Sequence, residues 1–475
     1  MARLTHCACT SVLVGKAATL DGSTLIARTE DHAEACAPKR FTVVPERVHK
    51  KESFVSANNQ FSMELDGAGL RYTSTPDVDQ SEGAYEEAGI NAAGVAMSAT
   101  ESTYANERVL AHDPLVEEGG LAEDALVTVV LPFISSARAG VERVAAIVAE
   151  HGSAEGNSIL FADADEVWYM ELATGHHWVA QRIPDDAYAV CANRISIQEV
   201  DFESPDFLHS DGIREFVEDN HLNPRPGTFD FRRIFGTYSQ QDTHYNAPRV
   251  WFGQRLFTPE VEQQPEDLDL PFIRRANRLL DVDDVAQLLA SHFDGTPFDP
   301  LGSDGDERSR TRYRAIALSR TQEGHVLQIR PGLPPERAGV HWVSLATTAF
   351  SPFVPFFANA SAVHPAWESE ARRPDPESVY WLLRTLDVLA ESRYPLVARR
   401  VEDYLKASRQ KAHAFVAATD RACAPLKGEA LTEALTGANR AFMDELLADT
   451  RTLLQDAIMA EAEDSPLSFD MDENL

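Results

Sequence analysis

The sequence predicts an α+β fold in which sheets and helices form separate layers. Three features of the 475 residues point there. Short consecutive strands, rich in β-branched residues and broken by Gly, Asn and Asp turns, fill much of the amino-terminal half. Two helical patterns enter together between runs of strands, which separates the chain from a repeating βαβ design. From about residue 376 to 462 the composition is almost entirely helical.

The first element is Cys9-Thr10-Ser11-Val12-Leu13-Val14-Gly15-Lys16, followed by Asp21-Gly22-Ser23-Thr24-Leu25-Ile26-Ala27-Arg28-Thr29-Glu30-Asp31. Alternation around Val12 and Val14, with the turn-forming Asp21-Gly22, reads as a hairpin that sets Cys9 beside Arg28 and Asp31. Residues 45–80 are polar and read as irregular excursions or ragged strands. Asn91 to Gly94 makes a tight turn into a buried strand ending near Thr100. Residues 122–134 and 139–151 place apolar positions three and four apart, and Gly152 stops the second helix. Residues 158–171 form a hairpin with an acidic turn, and 176–182 and 188–193 continue the strands. After short helices and loops over 200–310, strands resume at 314–330 and 341–349. Ser351-Pro352-Phe353-Val354-Pro355-Phe356-Phe357 is apolar and proline-stiffened, suited to a pocket wall. Residues 443–475 hold ten acids against the single base Arg451 and read as a solvated face or frayed end. No repeat and no low-complexity linker divides the chain.

Composition excludes several functions. With 43 basic and 75 acidic residues the formal net charge is −32, which opposes binding to nucleic acid or an anionic membrane. No run approaches the roughly 18 apolar residues of a membrane span, and the first residues lack the apolar core of a secretory signal. A cytoplasmic protein is the expectation. Cys7, Cys9, Cys36, Cys191 and Cys423 are odd in number and scattered, so no disulfide framework is expected. Cys7-Ala8-Cys9 has no matching Cys/His pair for zinc. Cys36, Cys191 and Cys423 read as small buried residues. No Gly-x-Gly-x-x-Gly or Walker loop supports nucleotide binding.

A cysteine heading a strand near an amino terminus offers one particular chemistry. Cutting the peptide bond before it leaves an α-amine beside the thiol, with an unperturbed pKa of about 7.7–8.0, near working pH. That amine takes the thiol proton without a histidine. A nearby cation lowers the thiol pKa, a carboxylate holds the new ammonium, and Asn side chains or backbone N–H groups receive the oxyanion. Composition alone leaves other readings open. Cys9 also reads as a buried structural cysteine, Arg28 and Asp31 as a surface ion pair, Asn91 as a turn residue, and Asn193 as a strand-end polar group.

These residues resemble the amino terminus of the dipeptidase A-like family of cysteine N-terminal-nucleophile (Ntn) hydrolases, whose eukaryotic relatives are the secernins. The resemblance continues through Gly89-Ile90-Asn91-Ala92-Ala93-Gly94-Val95, Trp168-Tyr169-Met170-Glu171, Val190-Cys191-Ala192-Asn193-Arg194 and Tyr245-Asn246-Ala247-Pro248-Arg249. It reappears around Ser351 to Phe357, spanning roughly residues 9 to 400. It implies a four-layer αββα Ntn sandwich over residues 9–370, with a helical region, 371–475, packed on it. Residues 1–8 would be a propeptide removed autocatalytically, with Cys9 the nucleophile and Cys7 its weaker local rival. By the same resemblance Arg28 lies near the sulfur, Asp31 holds the free amine, and Asn193 helps form the oxyanion hole. A second oxyanion asparagine of the penicillin-acylase and bile-salt-hydrolase relatives falls near Thr100-Glu101, where no asparagine stands. Arg249 matches as a late active-site arginine on the substrate side, and Glu101 and Glu171 are candidate carboxylates for a substrate ammonium, although both also read as exposed acids. The implied activity is dipeptide hydrolysis, with no metal or organic cofactor, small peptides as partners and self-association left open. An amidase or acylase, or a secernin-like non-catalytic interaction protein, are the alternatives.

Overall fold

A computed structural model describes residues 9–48, 51–465 and 467. The expected propeptide 1–8, with Cys7, and most of the acidic end beyond 465 lie outside the described residues.

The chain opens on the expected antiparallel hairpin of β1 (Thr10–Val14) and β2 (Thr24–Asp31), with Thr10 opposite Thr29 and Val14 opposite Leu25. β3 (Thr42–Val44) precedes the polar stretch, which contains β4 (Glu52–Val55), β5 (Ser62–Leu65) and β6 (Tyr72–Ser74); β3 pairs with β6 and β4 with β5. Then come β7 (Ala88–Ile90), β8 (Ala96–Glu101), β9 (Asn157–Ala162), β10 (Val167–Leu172), β11 (Trp178–Arg182), β12 (Tyr188–Cys191) and β13 (Phe207–His209). The series ends with β14 (Ile273–Arg274), β15 (Thr321–Ile329), β16 (Gly339–Leu345) and β17 (Val354–Phe357). One seven-stranded sheet runs β14-β12-β1-β2-β15-β16-β17, and a six-stranded sheet runs β13-β11-β10-β9-β8-β7.

Period-two alternation sorts β1 and β2 onto two apolar faces. Leu13, Ile26 and Leu327 of the larger sheet share one core with Leu160 and Tyr169 of the smaller. On the other face, Val12 and Val14 pack with Val250 of helix Ala247–Phe257, Leu288 of helix Val282–Leu289 and Leu382 of helix Val379–Ser392. Met97 and Phe161 of the smaller sheet turn instead to Leu126 of helix Glu123–Val130 and Val144 of helix Ala137–His151. The chain is thus mixed helix and sheet, with β1 and β2 well inside it.

Several expectations change. Residues 188–193 do not extend the neighbouring strands: β12 leaves them and pairs with β1, Ser11 opposite Cys191. The strand expected from 314 begins only at Thr321; residues 314–320 before it are turns and bends, and Arg314 among them pairs with Asp31. Val354–Phe357 is a buried edge strand, a position that tolerates Pro355, while Ser351, Pro352 and Phe353 before it line a small cavity as expected. The acidic stretch from 443 is helical as far as Glu463, within helix Gly428–Glu463. Met443, Leu446, Leu453 and Ala457 form its buried stripe, so its acids mark the wet side of a packed helix. Cys36 is exposed, whereas Cys191 and Cys423 are buried, and all three are free thiols.

Candidate active site

Cys9 heads β1 and is 1% exposed. Its Sγ accepts hydrogen bonds from Arg28 Nη1 at 3.1 Å and Thr100 Oγ1 at 2.9 Å. Arg28, fully buried on the adjacent strand, also donates from Nε to Ser98 Oγ at 2.9 Å and from Nη2 to Glu87. Lys39 donates to the other Glu87 oxygen at 2.8 Å. Burial works against the Glu87 carboxylate, but Lys39 and Arg28 together hold it below its usual range. For Cys9 burial wins: the thiol is pushed up to about 12 despite Arg28, with Glu123 and Asp31 adding to the rise. The thiol is therefore protonated at neutral pH and needs a base.

Asp31, buried at the end of β2, is engaged by Arg314 and by the Thr321 hydroxyl. The surface ion pair between Arg28 and Asp31 is thus excluded: both are buried, and each has other partners.

On the far side of Cys9 lies Arg249. A π-helical turn, Asp242–Asn246, leads into its helix, and such bulges re-aim side chains. Nη1 donates to the Cys9 carbonyl at 2.7 Å and to Thr10 Oγ1 at 3.0 Å. Nη2 donates to Asn193 Oδ1 at 2.7 Å and Asn246 Oδ1 at 2.8 Å, and Nε to the Tyr245 carbonyl at 2.8 Å. All its N–H groups are spent on the protein. Burial, then Arg314, lowers this guanidinium to about 9. Asn193, just beyond β12, is held by its oxygen, and its buried Nδ2 meets no acceptor among the described residues.

Glu171 is buried, not exposed, and accepts the backbone N–H groups of Ser196 at 2.6 Å and Ile197 at 3.1 Å. It pins the chain leaving Asn193, and burial lifts its carboxyl to about 7. Glu101 ends β8 next to Thr100 and is half-buried. Burial, then Glu155, lifts it to about 8. Glu155 accepts the Glu123 backbone N–H at 2.5 Å. Asn91 is a turn residue as expected, its Oδ1 receiving the N–H groups of Ala93 and Val95.

The hairpin therefore gathers Cys9, Arg28, Asn193 and Arg249, with Asp31 close by. Sequence reasoning missed Ser98, Thr100, Glu87, Glu123 and Arg314 as their partners. Thr100 alone carried a signal, since it stands where the relatives place an asparagine. Away from this corner, His292, Asp294 and Asp299 bring potential metal-ligand atoms within 4.8 Å of one another. His292 already bonds Asp299 at 2.7 Å, and Asp294 accepts from Ser291 at 2.5 Å, which reads as a stapled turn.

Comparison with known proteins bears on this geometry. The family model described as Peptidase family C69 matches residues 8–407. A probable dipeptidase of Latilactobacillus sakei is 48% identical over 475 residues, 100% of this chain and 99% of that protein. Dipeptidase A of Lactobacillus helveticus is 38% identical over 94% of this chain and 95% of its own length. A dipeptidase of Bifidobacterium longum is 38% identical over 93% and 87% respectively.

Proposed function

The chain belongs to peptidase family C69, and from that premise we propose how its buried corner hydrolyses a peptide bond. The protein is a cysteine-type dipeptidase. Scission of the Ala8–Cys9 bond frees the α-amine of Cys9. That amine takes the thiol proton as Sγ attacks the scissile carbonyl carbon, and the carbonyl electron pair moves to oxygen. The tetrahedral intermediate collapses to a thioester, and the amine returns its proton to the departing amino acid. Water then adds to the thioester, with the same amine as base, and the second product leaves as the carboxylate.

One observation carries this reading: Arg28 and Thr100 both aim donors at the Cys9 sulfur, in a strand pair that leaves the Cys9 backbone nitrogen at the end of a sheet. As negative charge builds on sulfur, these donors are already in place. Asn193 supplies Nδ2 to the oxyanion, the assignment that its unmatched buried donor supports. Arg249 acts through Asn193, holding Oδ1 so that Nδ2 faces the reaction, and is a positioning residue with no N–H left for substrate. Asp31, fixed by Arg314 and Thr321, receives the Cys9 ammonium.

The shared core between two sheets, with helices on their outer faces, supports a four-layer αββα Ntn sandwich. Residues 9–370 form its catalytic body and 371–475 brace it, since Val12 and Met443 belong to one buried cluster. No helix among the described residues is long and apolar enough to cross a membrane. The free thiols, one exposed, suit the reducing cytoplasm we assign to it.

Intact mass and amino-terminal sequencing of the purified protein, with a dipeptide assay, test the mechanism. The active chain should begin at Cys9, and Cys9→Ala should be neither processed nor active. Hydrolysis by Cys9→Ala at the parent rate overturns it.

A further inference from the structure

A cavity of about 450 Å3 has Glu30, Cys36, Asp77, Asp79, Glu87 and Arg372 in its wall, and Glu30 and Glu87 join that wall to the corner that holds the nucleophile. Its link to Cys9 is short. Thr10 faces Thr29 across the hairpin, so the next pair outward is Cys9 and Glu30. Glu30 shares a face of β2 with Arg28, two residues away. Arg28 in turn touches the Cys9 sulfur with one nitrogen and Glu87, a wall residue, with another.

The wall is acidic, and its cations are committed. Lys39 donates to Glu87 at 2.8 Å and to the Tyr85 carbonyl at 3.2 Å, and forms an ion pair with Asp77 at 2.6 Å. Arg372 is bound to Asp79 at 2.9 Å. Glu30 is 1% exposed, and its Oε2 has no hydrogen-bond partner among the described residues. Burial, opposed by Lys39, holds the Glu30 carboxyl well above its usual range, and a cation entering the cavity would favour the ionised form and supply the donor that its oxygen lacks.

The reaction constrains where such a ligand group lies. In a dipeptide the α-ammonium is separated from the scissile carbonyl carbon by one atom. Its carboxylate partner must therefore neighbour the nucleophile directly. Cross-strand neighbours lie about 4.5–5.5 Å apart between Cα atoms, which suits Glu30. Glu171 is spent on Ser196 and Ile197.

We propose that Glu30 binds the free α-ammonium of the substrate's first residue, and that this cavity is the amino-side subsite of the peptidase. The proposal rests on the dipeptidase reading above and deepens it. Peptides with an unblocked amino terminus are taken, and N-acylated ones are rejected. The contact is a charge-assisted hydrogen bond formed equally in ground and transition states, so it acts on KM more than on kcat.

The test compares Ala-Ala with propionyl-alanine, which lacks only the amine, for the processed wild type, E30Q and E123Q. The wild type should strongly prefer Ala-Ala. In E30Q the KM for Ala-Ala should rise roughly tenfold to a hundredfold with kcat nearly kept, and the gap to propionyl-alanine should close. An unchanged KM in E30Q, or a rise in E123Q alone, overturns the assignment. Should E30Q fail to mature, inhibition of the wild type by alaninol and by 1-propanol decides. The amine should inhibit at least about tenfold better, and equal inhibition overturns the subsite. Failure of the wild type to cleave any dipeptide would strike the activity reading itself, an outcome distinct from cleavage that is indifferent to Glu30.

Discussion

Arg249 spreads one guanidinium over the Cys9 carbonyl, Thr10, Asn193, Asn246 and the Tyr245 carbonyl. A lysine presents a point charge in place of that planar fork, so Arg249→Lys should release Asn193 and lower kcat with little change in KM. Asn193→Ala removes the oxyanion donor itself and should lower kcat by roughly a hundredfold to a thousandfold. If Arg249 acts through Asn193, the double variant should be little worse than Asn193→Ala alone. Multiplied losses would show that the two act separately. The residues of this argument were legible because each sits in a compact motif: Cys9 at a strand head, Arg28 and Asp31 in one strand, Asn193 and Arg249 in short matching segments. Their partners were not. Glu87 bonds Arg28 across 59 positions and Thr100 bonds Cys9 across 91, separations that no local periodicity spans.

Among the elements, the close fit of helix Ala137–His151 against the smaller sheet depends on Gly140. A Cβ there would lie 2.4 Å from the Phe161 ring of β9, and the ring is fully buried. Gly140→Ala should cost about 1–3 kcal/mol through overpacking, seen as a lower urea midpoint. Gly437, inside helix Gly428–Glu463, has no atom of the described residues within 4 Å of its would-be Cβ. There Gly→Ala should stabilise the fold by about 0.4–1 kcal/mol through helix propensity and unfolded-chain entropy, seen as a higher midpoint. Equal effects at the two sites would refute the packing argument. The elements themselves were largely legible, because hairpin turns and three-four periodicity are local signals. Their assembly was less so. Tyr188–Cys191 reads as one more strand in a series, yet it joins the other sheet, where Val190 lies close enough that a Cβ on Gly253 would come within 2.9 Å of it. That position is packed by a helix about sixty residues on, a partner that the strand's own sequence does not announce.

For the molecule as a whole, buried acids decide how stability follows pH. Burial raises Asp77 to about 6, Glu155, Glu171 and Asp387 to about 7, and Glu101 to about 8. In the unfolded chain such groups release their protons near pH 4. The folded state thus binds more protons between about pH 4 and 8, and stability must fall as pH rises through that interval. Carboxylates held low, such as Glu87 and Asp299, act oppositely and withdraw stability only as pH drops through the ordinary carboxylate range. The melting temperature should therefore peak near pH 5 and decline to pH 8. The formal charge of −32 adds surface repulsion to that decline, but salt screens it, whereas the buried groups are shielded from salt. A slope from pH 5 to 8 that survives 0.5 M sodium chloride, and flattens in Glu101→Gln/Glu155→Gln, is the expected scan; a flat profile in high salt would remove the buried acids from the account. Activity runs the other way, since the Cys9 amine must be neutral to take the thiol proton, and its ordinary pKa is about 7.7–8.0. kcat/KM should rise from pH 6 toward 8 while the melting temperature falls.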